Sequence, residues 1–122
     1  MEKEFVPYDE SLALKELGFD EPCIRGWDKN GKIWYHPDSD IVLDNLTFSQ
    51  AFRWFKEKYK LMSCITPCSD GEYIFTLYDL NKCDLEVFVE DIEIMESEDS
   101  YEFFEDAELE GLKKLIEIVK NK

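Results

Sequence analysis

Thr47-Phe-Ser-Gln-Ala-Phe-Arg-Trp-Phe-Lys-Glu-Lys-Tyr59 is the stretch whose reading decides the fold. Thr47-x-x-Gln50 has the spacing of a capping box, in which each side chain satisfies the other residue's free backbone N–H. Phe48, Ala51, Phe52, Phe55 and Tyr59 then recur at i, i+3, i+4, i+7 and i+11, one continuous apolar face of a core helix. Directly after it, Leu61–Thr66 and Glu72–Leu80 read as two strands around Pro67-Cys-Ser-Asp-Gly71, which has turn composition. Tyr73, Phe75 and Leu77 alternate with Ile74, Thr76 and Tyr78, so both faces of the second strand are apolar and it is the candidate central strand. A helix running into a hairpin of this kind predicts an α+β domain.

Upstream, Pro7 suits the first turn of a helix carrying Leu12, Ala13, Leu14 and Leu17. Gly18 then supplies the left-handed residue of a Schellman stop, with Phe19 placed to meet Leu14. Glu21-Pro22 extends the chain into a strand from Cys23 to Trp27. Asp28-Lys-Asn-Gly31 turns it into a second strand from Lys32 to His36, and Trp27, Trp34 and Tyr35 are read as cross-strand packing. His36 to Asp44 reads as a loop.

Downstream the charge becomes one-sided. Cys83–Leu112 holds thirteen Asp and Glu and no Lys or Arg, which leaves sixteen acids against fourteen bases elsewhere in a chain of net charge −15. Leu85, Val87 and Val89 alternate with Glu86, Phe88 and Glu90 as a strand with one buried face. The parity then changes: Ile92 and Ile94 fall on even positions, so a bulge or tight turn near Glu90 and Asp91 is expected to reset the face. Glu96 to Asp106 reads as a loop. A final helix, Asp106 to Lys120, turns Leu109, Leu112, Leu115, Ile116 and Val119 inward, with its acids and lysines arranged to suit the helix dipole. The architecture expected is one domain over residues 1–122, a mainly antiparallel sheet of about five strands with three helices packed on one side.

With 122 residues, 44% hydrophobic and 15% aromatic, the chain has enough apolar matter for one core despite its charge. The start Met-Glu-Lys-Glu-Phe lacks a basic and then apolar leader, and no apolar run approaches spanning length, so a cytoplasmic, non-membrane protein is expected. Cys23, Cys64, Cys68 and Cys83 are then reduced thiols rather than a disulfide framework. Cys64-x-x-x-Cys68 with Cys83, Cys23 and His36 lacks paired knuckles, so no metal is expected. His36, the single histidine, has no recognisable nucleophile partner, and there is no glycine-rich phosphate loop. No enzymatic activity and no cofactor are therefore expected. Arg53, Lys56, Lys58 and Lys60 make the core helix basic, but a net charge of −15 repels phosphates, so direct nucleic-acid binding is not expected.

Glu4-Phe-Val-Pro-Tyr8, Ala13-Leu-Lys-Glu-Leu-Gly-Phe-Asp-Glu-Pro-Cys23, Gln50-Ala-Phe-Arg-Trp-Phe-Lys-Glu-Lys-Tyr59 and Leu112-Lys-Lys-Leu-Ile-Glu-Ile-Val-Lys120 together resemble an uncharacterised family of small proteins from phages and prophages of Bacteroidetes. The resemblance names no reaction and no catalytic residue. Asp84 to Asp106 is longer and more acidic than the family's usual link into the last helix, which puts what is special to this chain there. A phage origin implies a role in host cytoplasm, and the leading expectation is an anti-defence inhibitor of anti-CRISPR or anti-restriction type. Its acidic run would act as a nucleic-acid mimic in the basic channel of a host effector nuclease, since carboxylates at i and i+2 on a strand lie about 6.6 to 7 Å apart, comparable to neighbouring phosphates. The partner-binding residues expected are Glu90, Asp91, Glu93, Glu96, Glu98, Asp99, Tyr101, Glu102, Phe103, Phe104 and Glu105, the aromatics serving as apolar anchors. The alternative is a phage accessory or virion-associated protein without enzymatic activity, in which the acidic run is a solvated edge that keeps the strand from aggregating.

Overall fold

The computed structural model describes residues 4–35, 40–82 and 92–121. The chain divides into two compact units, Met1–Ala51 and Phe52–Lys122, with the division inside the helix that opens on the capping box. His36, Glu90, Asp91 and the expected strand over Leu85–Val89 lie outside the described residues.

In the first unit, α1 (Tyr8–Glu16) begins one residue after Pro7, whose carbonyl accepts from the Ser11 N–H at 2.9 Å. Its stop is the expected Schellman motif: Phe19 N–H donates to Leu14 O at 3.0 Å and Gly18 N–H to Lys15 O at 3.0 Å, with Gly18 at φ 106°. That backbone angle favours glycine because any Cβ there meets the neighbouring carbonyl. β1 (Arg25–Trp27) and β2 (Ile33–Tyr35) form the expected hairpin, held by Asp28. Its Oδ1 accepts from the N–H groups of Asn30 (2.8 Å) and Lys32 (2.9 Å), and its Oδ2 accepts from Trp34 Nε1 at 2.9 Å. The hydrogen bond from Trp34 comes first among the causes that hold the Asp28 carboxyl below its usual range.

β3 (Leu43–Asn45) completes an antiparallel sheet of order β2-β1-β3, where the sequence reading expected loop. Three residues are too few to show a period, and Asn45 does not look like a core residue. Yet Asn45 and Arg25 pair across the two strands and are 1% and 3% exposed. Arg25 Nε donates to Asn45 Oδ1 at 2.7 Å, and the guanidinium lies over the Phe5 ring, 3.7 Å from its centroid. Asn45 Nδ2 in turn donates to Val6 O at 2.7 Å and to Ser11 Oγ at 3.4 Å. Leu14, Leu43 and Leu46 of the same unit are buried.

α2 (Phe48–Tyr59) starts on the capping box the sequence announced: Thr47 N–H donates to Gln50 Oε1 at 3.0 Å, and Gln50 N–H to Thr47 Oγ1 at 3.2 Å. Phe48, Ala51 and Phe55 are buried as expected, and Trp54, which the apolar stripe omits, is buried with them. Trp54 makes edge contacts with Phe55 at 5.2 Å and Tyr59 at 5.4 Å, so three rings share one cluster.

The second unit contains β4 (Leu61–Pro67), β5 (Tyr73–Asp79), β6 (Glu93–Glu96) and α3 (Phe104–Lys120). The antiparallel sheet has order β4-β5-β6, so β5 is central as its two apolar faces predict. α3 packs on β4 and β5, with Ala107, Gly111, Leu112, Leu115 and Ile116 buried. It starts two residues earlier than expected, and the expected inward residues Leu109 and Val119 are only half-buried.

At Gly111, α3 lies close against the sheet. A Cβ built there meets Ser63 Oγ at 2.8 Å and the Phe75 ring at 3.4 Å. Gly111→Val is therefore expected to destabilise the unit by about 1–3 kcal/mol, the usual cost of overpacking, despite the better helix propensity of valine. Urea denaturation of the two proteins measures this; equal midpoints would show that the sheet gives way freely.

The chain is thus α+β, but among the described residues its strands form two three-stranded antiparallel sheets rather than one of about five. Among the described residues three strands precede α2 and three follow it, and each set pairs within itself. The helices divide likewise, α1 against β3 and α3 against β4 and β5. Among the described residues no helix is long and apolar enough to cross a membrane.

Candidate functional site

The acidic stretch enters the described structure at β6, whose register fixes where its side chains go. Met95 pairs with Leu77 and Glu96 with Thr76, while Glu93 rather than Ile94 pairs with Tyr78. Ile94 is thus the extra residue of a bulge, while the parity reset expected near Glu90 and Asp91 lies outside the described residues. The consequence reverses the expected faces: Met95 is half-buried and Ile94 is 41% exposed. Glu93 and Glu96 share the face of Tyr78 and Thr76, away from α3, and with Cys64 they add repulsion to the burial that pushes the Tyr78 phenol up.

The chain then leaves β6 without leaving the sheet. Ser97 N–H donates to Phe75 O at 2.8 Å, its hydroxyl accepts from Phe75 N–H at 3.2 Å and donates to Asp99 O at 2.8 Å. Four residues on, Tyr101 and Tyr73 exchange both backbone hydrogen bonds at 2.7 and 2.8 Å. The Ser100 hydroxyl donates to the Glu72 carboxylate, and the Tyr101 ring stacks on Phe75 at 6.3 Å. Glu98 and Asp99 are exposed on a short arch fixed at both ends to one strand.

Beyond the second anchor, Glu102 is exposed and Phe103 and Phe104 are 50% and 43% exposed. Phe104 makes an edge contact with Tyr73 at 5.6 Å, so one side of its ring is held while the other meets solvent. Glu105, in the first turn of α3, is half-buried. Tyr101 is half-buried, with its ring against Phe75. Under the arch a shallow hollow of about 180 Å³ is lined by Met95, Glu98, Asp99, Tyr101, Glu110 and Lys114, among others. Lys114 is engaged with Glu117 at 3.3 Å and Glu110 with Lys113 at 3.5 Å, both in exposed pairs.

The structure therefore gathers Glu98, Asp99 and Glu110 on the flank of α3, sets Glu102, Phe103 and Phe104 beside them in the chain, and separates Glu93 and Glu96 onto the other face. Sequence reasoning missed the anchors Ser97, Ser100, Tyr73 and Phe75. Two serines among acids were the available signal, because a hydroxyl is the side chain that can close a tight loop onto a backbone carbonyl.

Among the described acids of this segment, Glu108 is strongly perturbed. Its carboxyl is pushed up to about 7 from the usual 4.5, chiefly by burial and secondly by repulsion from Glu105. The folded chain holds this proton more tightly than the unfolded chain, so the stability it contributes is complete below about 4.5 and is lost as pH rises through about 7. Glu108→Gln is expected to match wild type in urea denaturation at pH 5 and to exceed it at pH 8 by about 1 kcal/mol, a figure discounted for the solvent that reaches a half-buried group. A gain of the same size at both pH values would assign it to packing.

Among the described residues no three His, Cys, Asp or Glu side chains come together as metal ligands. Cys23 is buried, and its thiol is pushed up to about 12 by burial and by Asp44 and Glu21. In the first unit a hollow of about 280 Å³ holds Lys15, Asp20 and Asp44; Lys15 is already tied to Val42 O at 2.9 Å. The chain matches no protein-family model, no curated protein and no solved structure.

Proposed function

We propose that this chain is a phage-encoded anti-defence inhibitor, of anti-CRISPR or anti-restriction type, which acts in host cytoplasm without catalysis. Its acidic arch enters a basic nucleic-acid-binding surface of a host effector nuclease. The observation that carries the reading is the arch itself: exposed Glu98 and Asp99 held between the Ser97 and Tyr101 anchors, with exposed Phe103 and Phe104 following. A pre-fixed loop loses little conformational freedom on binding. Carboxylates steer a basic partner, and the adjacent rings provide the dry centre that charge alone does not. The phage origin rests on the resemblance of the four sequence motifs.

The test uses the wild type and a variant carrying Glu96→Gln, Glu98→Gln, Asp99→Asn and Glu102→Gln, both immobilised against extract of a Bacteroidetes host at low and moderate salt. The expected result is capture of a nucleic-acid-binding nuclease by wild type, weakening with salt, inhibition of its cleavage in purified form, and at least a tenfold loss of inhibition in the variant. Full inhibition by the variant would sink the mimic reading. The second reading, an accessory or virion-associated interaction protein, draws on the first unit, where Ile24 and Tyr35 are each 62% exposed. Loss of the captured partner on Tyr35→Ser, with the acidic variant unaffected, would favour it.

A further inference from the structure

We propose that the outer edge of β4 pairs antiparallel with the same edge of a second copy of this chain, giving a two-fold dimer with a continuous six-stranded sheet. The inference does not depend on the function proposed above.

The geometry starts from which backbone groups of β4 are used. Cys68 N–H donates to Glu72 O at 2.7 Å and Leu80 N–H to Lys60 O at 2.7 Å, and the register between these ends is unbroken from Leu61↔Asp79 to Pro67↔Tyr73. Hydrogen-bonded pairs alternate in an antiparallel ladder, so Met62, Cys64 and Thr66 point their backbone groups at β5. Leu61, Ser63 and Ile65 point theirs the other way. Among the described residues no strand lies on that side and no backbone hydrogen bond reaches it.

Such an edge is a template for another strand unless charge, proline or a bulge blunts it. The far edge of this sheet is blunted, since β6 is bulged and carries Glu93 and Glu96. β4 is seven residues long, Leu-Met-Ser-Cys-Ile-Thr-Pro, with no charged residue, and its one proline is the last position. Ser63, Cys64 and Ile65 are half-buried, and Thr66 and Pro67 are exposed. An antiparallel edge is also self-complementary about a two-fold axis.

Charge selects the register. With the axis at Cys64, the Ser63 N–H faces the second copy's Ile65 O and the Ile65 N–H its Ser63 O. The Leu61 N–H meets the second copy's Pro67 O, where the missing proline N–H costs one bond on each side of the axis. In this register Lys60, which is exposed, reaches the level of the second copy's hairpin turn, whose acid is the exposed Asp70. The unlike pair occurs twice, once on each side of the axis. Cys64 then stands opposite its own copy in a non-hydrogen-bonded pair, with Cα atoms about 4.5 Å apart, inside the range a disulfide spans. Strand order β6-β5-β4 followed by its mirror sequence leaves the two β6 strands at the outside, about 24 Å apart at the usual strand spacing, so the dimer presents two acidic arches.

The experiment is light scattering and sedimentation on the full chain over a range of concentrations, followed by diamide oxidation of a Cys68→Ser, Cys83→Ser form that keeps Cys64 and the buried Cys23. The expected results are a mass rising from 14.5 kDa towards twice that value, a Cys64-linked dimer on oxidation, and a monomer for Cys64→Lys, where like charges would face each other. Lys60→Asp and Asp70→Lys are each expected to weaken the dimer about fivefold, as exposed ion pairs do, and their combination to restore it. Both positions are exposed, so the swaps decide the register even if Cys64→Lys does not fold. A monomer at every concentration overturns the proposal, as does a dimer that neither links through Cys64 nor responds to the swaps.

Discussion

Asn45→Ala is expected to cost the first unit about 2–4 kcal/mol, a large part of the 5–15 kcal/mol that holds a domain of ordinary size folded. Asn45 is 1% exposed and serves both ends of a polar chain, accepting from Arg25 Nε and donating to Val6 O and Ser11 Oγ. Truncation removes one acceptor from a guanidinium that is itself 3% exposed, and a buried charged donor left one hydrogen bond short costs more than a neutral one. Val6 O suffers less, because the Ser11 hydroxyl still donates to it at 3.3 Å. Asn45→Asp separates the two roles: the carboxylate keeps an acceptor for Arg25 but gives up the donor to Val6 O. Its loss is expected to fall between wild type and Asn45→Ala, and denaturation followed by Trp27 and Trp34 fluorescence ranks the three. If Asn45→Ala costs less than about 1 kcal/mol, no more than one ordinary hydrogen bond, Arg25 must have an equally good second set of partners.

The same network shows why part of this fold could be read from sequence and part could not. Thr47 with Gln50, Gly18 with Phe19, and Asp28 to Gly31 are local devices in which residues a few positions apart satisfy one another, and all three form as their spacing predicts. β5 was legible because seven alternating residues with two apolar faces suit a central strand. β3 was not, because its place depends on Arg25, twenty residues away in sequence, and polar side chains are read as surface until a partner is known. The division into two sheets was equally hidden, since alternation shows that a residue lies in a strand but not which strand lies beside it.

At the acidic site the legible part was composition and the hidden part was placement. The one-residue bulge at Ile94 moves Met95 inward and sends Glu93 and Glu96 to the face opposite α3. Among the described residues the carboxylates therefore fall into two groups on different faces rather than one evenly spaced row. For a partner this matters more than the total charge, because steering depends on the whole field while fit depends on which groups can touch at once. Glu98, Asp99, Glu102, Phe103 and Phe104 are exposed along one short run of chain, and the serine and tyrosine anchors turn that run from a loop into a fixed surface.

Phe75→Ala should have the largest effect in the second unit, because this residue joins the core to the acidic arch. Its side chain is 3% exposed, lies against Gly111 of α3 and stacks with Tyr101, while its backbone holds both the Ser97 N–H and the Ser97 hydroxyl. Removing a buried phenyl ring costs about 3–5 kcal/mol in transfer and cavity terms, and Gly111 offers no side chain to fill the space. The backbone bonds to Ser97 and Tyr101 survive the substitution in principle, so stability and arch rigidity need not fall together. Amide exchange separates them: faster exchange at Ser97 and Tyr101 than global unfolding explains would show that the ring itself clamps the arch. Tyr101→Ala provides the converse, since a half-buried ring should cost only about 1–2 kcal/mol while loosening the same amides. If both variants leave arch exchange at the global rate, the hydrogen bonds alone hold it, and Ser97→Ala becomes the substitution that should release the carboxylates.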